Sequence, residues 1–379
     1  MAEVRTLHVI DVGKVVIADE EDRPVPDGGF RVETLYSGLS AGTELSYVKG
    51  TNPYLSSSWD PVLGLFRPDR AAAGYPVTRM GYMEVARVTD TRTGAVAPGQ
   101  ILAMAYGHRT AYTAHWADDR FVPLPDDLDP MLGIYVAHMG PICANGLLHA
   151  AADLCGTDVR TLGDGVRGRR VVVTGAGVVG LLTALFARRH GAAEVVVVDR
   201  TPERLDRAAR LGLDVLDMDA ADPALKVKTR WRHAHQDRGA DVVFQCRGRP
   251  ESLHLALRML RPRGTVVDLA FYQDGADGLR LGEEFHHNAL SIRCSQIGRV
   301  PRGLDHVWSR ERLSAETIDL LRHHGDAIRG HLVTDVLPFD DAPAFVADLA
   351  ARRRHTLQAV FDMAGDMAGD GAGDGAGPA

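Results

Sequence analysis

Lysine is nearly absent from this chain of 379 residues: only Lys14, Lys49, Lys226 and Lys228 are lysine among 43 basic residues. Alongside the many alanines and glycines, that skew reads as coding bias rather than as function. Acidic residues outnumber basic ones, giving a net charge of -7 and a pI near 6.1. That balance argues against nucleic acid as the main partner. Cysteine is scarce too. Cys143, Cys155, Cys246 and Cys294 lie far apart and form no C-x-x-C pair, so reduced thiols in a cytoplasmic protein are expected. No apolar run approaches the length of a membrane span, and MAEVRTLHVIDVGK at the start does not read as a signal peptide. What remains is 45% hydrophobic and 25% charged, enough to fold as two domains.

The stretch Arg170 to Asp199 reads strand, glycine turn, helix, strand. Val171, Val172 and Val173 form a β-branched run suited to a parallel strand buried on both faces. Gly175-Ala176-Gly177-Val178-Val179-Gly180 follows with the G-x-G-x-x-G spacing. Its glycines permit a tight turn, close approach of backbone to a pyrophosphate, and close packing of helix on sheet. Val178, Leu181, Leu182, Leu185 and Phe186 mark one helical face, and the N-terminus of that helix offers free N–H groups to phosphate. Asp199 ends the next strand at about 20 residues' distance, where an acid binds the adenosine ribose hydroxyls. A carboxylate there repels a 2′-phosphate, so NAD is expected. Arg200, its neighbour, is able to accommodate that phosphate, which keeps NADP open.

Residues 1 to about 145 look β-rich, with strands near 30–36, 85–88 and 101–105 and a long loop from 51 to 80. A loop of that length reads either as a substrate lid or as a surface insertion that merely packs. From about 146 to 296 strands alternate with helices, the pattern of a doubly wound parallel sheet. Strands at 240–246 and 265–270 flank a helix at 251–260, which Pro262 and Gly264 should end. Residues 297–362 carry a helix at 314–322, a strand at 332–336, a helix at 342–351 and a final strand at 358–361. The repetitive Ala, Gly and Asp tail, 363–379, has almost nothing to bury and is expected to be disordered.

The segments SGLSAGTELSYVKG (37–50), GYMEVARV (81–88), PGQILAM (98–104), RFVPLPDDL (120–128), the glycine motif and ADVVFQCRG (240–248) occur in a telling order. In that order the chain resembles the medium-chain dehydrogenase/reductase family across nearly all of residues 5–362. The resemblance implies a chaperonin-10-like (GroES-like) catalytic domain over 1–145 with 297–362, and a Rossmann dinucleotide-binding domain over 146–296. It also implies that Arg204 lies along the adenosine and Cys246 beside the cofactor.

Typical family members hold a catalytic zinc. Where they carry a cysteine before Gly-Thr-Asp, this chain has Ala41 before Gly42-Thr43-Glu44. Where they carry Gly-His-Glu it has Gly81-Tyr82-Met83, and the third ligand position falls near His138. Zinc asks for four N, S or carboxylate ligands, and these positions cannot supply them, so no metal is expected. The pattern looks like a zinc-free branch that acts on hydroxyethyl tetrapyrroles and on cyclitol or sugar-like natural products. By resemblance, Tyr82 and His138 face the nicotinamide, Thr43 relays a proton and Glu44 orients a partner. His138 suits general base duty and Tyr82 suits donation to a developing alkoxide. Two blander readings stay open: Tyr82 as an aromatic filling the space of the metal, and His138 as a hydrogen-bonded core histidine.

Glu283, Glu284, His286 and His287 form a polar cluster that reads as a solvated turn, and His323-His324 reads as structural. The sum is a zinc-independent, NAD-dependent oxidoreductase interconverting a secondary alcohol and a ketone on a small molecule, in secondary metabolism. It would pair as a homodimer around Leu290 to Gly298. The rivals are an NADPH-dependent enoyl or quinone reductase of the same fold, and a dinucleotide-binding protein without chemistry.

Overall fold

A computed structural model describes residues 3–70, 74–273 and 275–363. It falls into two compact units, Met1–Ala137 with Val333–Ala379, and His138–Leu332. Among the described residues no helix is long and apolar enough to cross a membrane.

The first unit is the β-rich one. It opens on an antiparallel hairpin, Glu3–Asp11 with Lys14–Glu21, that the sequence reading leaves out. Thr6 and Leu7 are both buried, so the strand lacks the strict alternation that reveals a half-buried strand. A seven-stranded sheet follows, in the order Val333–Pro338, Gln358–Asp362, Gly29–Gly38, Glu84–Thr91, Ile101–Met104, Val122–Pro123, with Ala111–His115 also paired to Gly29–Gly38. The last strand lies antiparallel to Gly29–Gly38, with Val360 opposite Gly38, which ties the C-terminal segment into this unit. Phe339, Phe345 and Phe361 pack with Leu7 and Val9 in one core cluster, and Phe30, Val32, Leu102 and Tyr106 build another. Met363, assigned to the tail by its composition, is buried in the first cluster, and its N–H donates to Leu35 O at 3.0 Å. The rest of that tail lies outside the described residues.

The 51–80 segment is not plain loop. Ser58–Asp60 and Leu65–Arg67 form a small hairpin whose turn is held by Asp60 Oδ1, which accepts from the N–H groups of Val62 and Leu63 at 3.0 Å each. Trp59 and Phe66 meet edge to face at 5.1 Å, and both remain partly exposed. Residues 71–73 lie outside the described residues.

The second unit is a six-stranded, all-parallel sheet. Its order is Asp214–Asp217, Glu194–Asp199, Arg170–Thr174, Ala240–Gln245, Leu260–Asp268, Ser291–Cys294. Numbered along this unit the order is 3-2-1-4-5-6, so the direction of winding reverses between Arg170–Thr174 and Ala240–Gln245. Ligands of such sheets bind outside the carboxyl ends of the strands at that reversal. Val171, Val172 and Val173 are fully buried, as their β-branched run requires, and burying such a side chain contributes about 1.5–3 kcal/mol. The helix before the next strand ends at Met259, and strand geometry begins at Leu260, with Arg263 at φ 63.

Residues 138–145 and 297–332 group with this nucleotide fold, although the sequence reading sets them with the β-rich domain. One helix, Met139–Cys155, runs through the expected boundary. The other, Arg310–His331, is far longer than the 314–322 stretch read from periodicity. It is fastened to the helices of the sheet by Arg189 Nε to Asp319 Oδ2 at 2.6 Å and by Arg207 Nη1 to His331 O at 3.1 Å.

Candidate active site

At the nucleotide end, Thr174 closes the first strand and Gly175 turns the chain at φ 97, a conformation side-chain-bearing residues rarely adopt. Gly180 allows close packing: a Cβ there would sit 1.8 Å from Gly175 O. Helix Val178–Arg189 begins after Gly177, which has no side chain to cap it. The first N–H groups of Val178, Val179 and Gly180 therefore point out of the helix without intrahelical partners, the arrangement that holds phosphate.

Asp199 lies at the end of the adjacent strand and is 3% exposed. Its Oδ2 accepts from Ala176 N at 2.8 Å, and its Oδ1 accepts from Arg200 N at 2.8 Å and Thr201 N at 2.9 Å. Burial pushes this carboxyl up, but the backbone donors outweigh it and hold it below the usual carboxylate range. The acid thus also pins the glycine turn. Cys246 follows the strand on the other side of the reversal; burial, with Cys143 beside it, keeps its thiol well above the ordinary range and therefore protonated. A half-buried thiol held protonated in this way is a poor nucleophile.

Arg247 and Arg249 are residues that sequence reasoning missed. A Cβ on Gly175 would lie 3.1 Å from Arg247 Cβ, so Arg247 stands directly against the turn. Burial lowers its pKa; the Asp199 charge opposes this, while Arg200, Arg204 and Arg249 add to it. Four guanidinium groups therefore share this end of the crevice. The signal was available, because Arg247 and Arg249 directly follow the strand Ala240–Gln245 at the reversal.

In the β-rich unit, Thr43 and Glu44 sit on the helix Ala41–Val48, and Tyr82 precedes the strand Glu84–Thr91. The Tyr82 hydroxyl hydrogen-bonds to Ser40 Oγ. Glu44 is 2% exposed; Oε1 accepts from Ser40 N at 2.8 Å and Oε2 meets His108 Nε2 at 2.6 Å. His108, fully buried, reaches Ser37 Oγ through Nδ1 at 2.6 Å. Ser37 Oγ in turn donates to Glu84 Oε1 at 3.1 Å, and Glu84 Oε2 accepts from Tyr106 N at 2.8 Å. Burial would lower the His108 pKa, yet Glu44 first and then Glu84 raise it above the ordinary value. Burial raises that of Glu84. Glu44 is thus committed to the core and positions Ser40, the partner of Tyr82. His108, Ser37 and Glu84 escaped the sequence reading, since no spacing rule joins residues so far apart in the chain.

His138 opens the other unit and precedes the helix Met139–Cys155. Its Nδ1 is 2.7 Å from Arg310 Nη2. Guanidinium nitrogens only donate, so Nδ1 accepts and the ring proton resides on Nε2. In this tautomer the neutral His138 ring carries its N–H at Nε2. The donor chemistry at the three positions matching zinc ligands follows from this. Ala41 has no ligand atom, the Tyr82 hydroxyl is joined to another hydroxyl, and the His138 nitrogen at Nδ1 faces a cation. Taken residue by residue, these positions carry no thiolate or carboxylate of the kind that holds zinc.

Of the polar cluster at 283–287, Glu283 and Glu284 converge with His254 rather than with the neighbouring histidines; their ligand atoms lie within 4.8 Å of one another. Arg258 Nε stands 3.6 Å from Glu284 Oε1, a competing cation. His323 Nδ1 meets Asp319 O at 2.8 Å, one turn back on its own helix, as a structural histidine does.

Residues 178–310 match the family model of zinc-binding dehydrogenases, a stretch that excludes positions 41, 82 and 138. The chain is 32% identical over 203 residues to a D-guloside 3-dehydrogenase of Shigella flexneri, covering 53% of this chain and 55% of that protein. It is 41% identical over 193 residues to a probable zinc-binding alcohol dehydrogenase of Mycobacterium tuberculosis, covering 50% and 44%. The matched stretches thus span about half the length of these relatives. Among solved structures, galactitol-1-phosphate dehydrogenase from Escherichia coli superposes with a TM-score of 0.73 at 16% identity, covering 94% of this chain and 99% of that one. The fold is that of the medium-chain alcohol dehydrogenases, and residues 178–310 are similar to the zinc-binding dehydrogenase family.

Proposed function

We propose that this chain is an NAD(P)-dependent oxidoreductase that interconverts a secondary alcohol and a ketone on a polyol or sugar-like substrate, without zinc. The observation that carries the reading is the uncapped helix N-terminus that follows Gly177, with Asp199 at the end of the adjacent strand bracing the glycine turn through Ala176 N. The substrate class is supported by the likeness to a D-guloside 3-dehydrogenase. Zinc independence rests on the donor set at positions 41, 82 and 138, which lacks thiolate and carboxylate ligands.

When bound, the nicotinamide supplies or accepts the hydride. The chain's own part is to orient the substrate and to hydrogen-bond the oxygen on which charge develops, while the alcohol's proton is exchanged with bulk water. His138, with Nδ1 held by Arg310, presents an Nε2–H suited to the oxygen of the reacting carbon. Tyr82, hydrogen-bonded to Ser40 in the β-rich unit, carries a hydroxyl suited to hydrogen-bond a developing alkoxide. We assign NAD on the charge of Asp199. A second reading, NADP, is favoured by the four arginines at 200, 204, 247 and 249. Assembly as a homodimer is part of the proposal: Ser291–Cys294 is an edge strand with Ile292 exposed, a template for pairing.

The test is titration of both cofactors by fluorescence, followed by turnover of a panel of polyols and glycosides, read as reduced nicotinamide. Turnover of a secondary alcohol, lost with His138→Leu, is the expected result. Cofactor binding with no turnover of any alcohol or ketone would leave a binding protein instead. A monomer by light scattering would remove the dimer.

A further inference from the structure

A second cavity, of about 830 Å³, lies within the nucleotide-fold unit. Its walls are the segment after the edge strand Ser291–Cys294 and the start of the helix Arg310–His331. None of the residues Gly175 to Gly180 lines it, so it is not where the phosphate-binding turn points.

The wall is fixed from behind. Asn145, fully buried, donates its Nδ2 to Gln296 O at 3.3 Å and to Arg299 O at 3.2 Å. Trp308, 1% exposed, donates its indole N–H to Val159 O at 3.2 Å. Three arginines, Arg299, Arg302 and Arg310, line it together with one acid, Asp305. The helix of 22 residues that starts at Arg310 adds the positive end of its dipole. His149, half-buried, also lines the cavity, with its ring nitrogens turned inward and the Arg299 backbone as polar neighbour. Burial, helped by Arg293, lowers its pKa to about 4, so it stands there as a neutral imidazole able to donate or accept. A neutral imidazole beside an excess of guanidinium groups is the counterpart of an anion rich in oxygen atoms.

Arg310 joins this cavity to the reacting group, because the same guanidinium that lines it donates to His138 Nδ1 at 2.7 Å. We infer that the cavity binds the phosphate monoester of a phosphorylated polyol substrate, and that Arg310 links that phosphate to His138. The inference rests on the proposed oxidoreductase reading. A phosphate monoester matches three guanidinium groups better than a carboxylate does, since it offers three terminal oxygens and up to two charges.

The test uses the full chain with its cofactor, galactitol and galactitol 1-phosphate as a matched substrate pair, and inorganic phosphate as a probe of the anion alone. The double variant Arg299→Ala/Arg302→Ala is compared with the parent, with thermal melting as the check on folding. Expected is a kcat/KM for the phosphorylated polyol about 10-fold or more above that of the free polyol. The double variant should lose most of that preference, and calorimetry should show weaker binding of inorganic phosphate. Equal use of both polyols, without phosphate binding, would overturn the inference and leave the oxidoreductase reading in place. Phosphate binding that the double variant retains would overturn the location. Phosphate binding lost in the variant, with neither polyol turned over, would support the site and count against the oxidoreductase reading.

Discussion

Arg310 Nη2 donates to His138 Nδ1 at 2.7 Å, and this one contact decides what His138 is able to do. With Nδ1 accepting, the neutral ring carries its proton on Nε2 and acts as a donor.

His138→Gln should keep much of the activity, because an amide N–H replaces the imidazole N–H. His138→Leu should lower kcat by about 10²-fold or more, the usual cost of removing a donor to a developing oxyanion. Steady-state rates of the two variants separate donor from base. Equal, complete loss in both would restore the base role.

Asp199→Ala should weaken cofactor binding, since it removes the acceptor of three backbone N–H groups, Ala176 among them. The folded pKa of Asp199 is lowered, so its contribution to stability is present above the unfolded value, about 3.9. It is lost as pH falls through the lower folded value. Denaturant melts of parent and variant should therefore converge only in strong acid.

Gly180→Ala should abolish cofactor binding. The new Cβ would lie 1.8 Å from Gly175 O, so either the turn or the helix must move. Unchanged affinity in a cofactor titration would contradict the packing assigned to this glycine.

The buried pair Glu44–His108 should make the protein less stable in alkali. The folded pKa of His108 is raised, so its stabilising contribution is complete below the unfolded value of about 6.5. It fades as pH climbs through the folded one. Glu44→Gln should cost about 3–5 kcal/mol, because it leaves a buried cation without its carboxylate. Denaturant midpoints measured across neutral and alkaline pH would check both statements.

Elemental analysis of the purified chain should find no stoichiometric zinc, and chelators should leave turnover unchanged. Zinc near one per chain, lost together with activity, would mean that other residues supply the ligands and would return the reaction to a metal mechanism.

The nucleotide-binding turn was legible in the residues alone. A buried valine run, glycines at set offsets and an acid at the end of the next strand are local, and each acts through backbone geometry within about 30 residues. The unit boundary was not, because the helix Met139–Cys155 runs through it and nothing local marks which sheet a helix will cover. The chemical roles at the candidate catalytic residues depended still more on distant parts of the chain. His138 becomes a donor only because Arg310, 172 residues away, reaches its Nδ1. Glu44 becomes a core residue only because His108, 64 residues away, needs its charge in a dry interior. By itself, the sequence determined the glycine turn between strand and helix, the acid beside it and the alternation of strands with helices, since these follow from backbone and burial patterns at short range. Only the tertiary structure decided which proton each side chain holds and which carboxylate faces the core, because hydrogen-bond partners and desolvation are set by residues that meet across the fold.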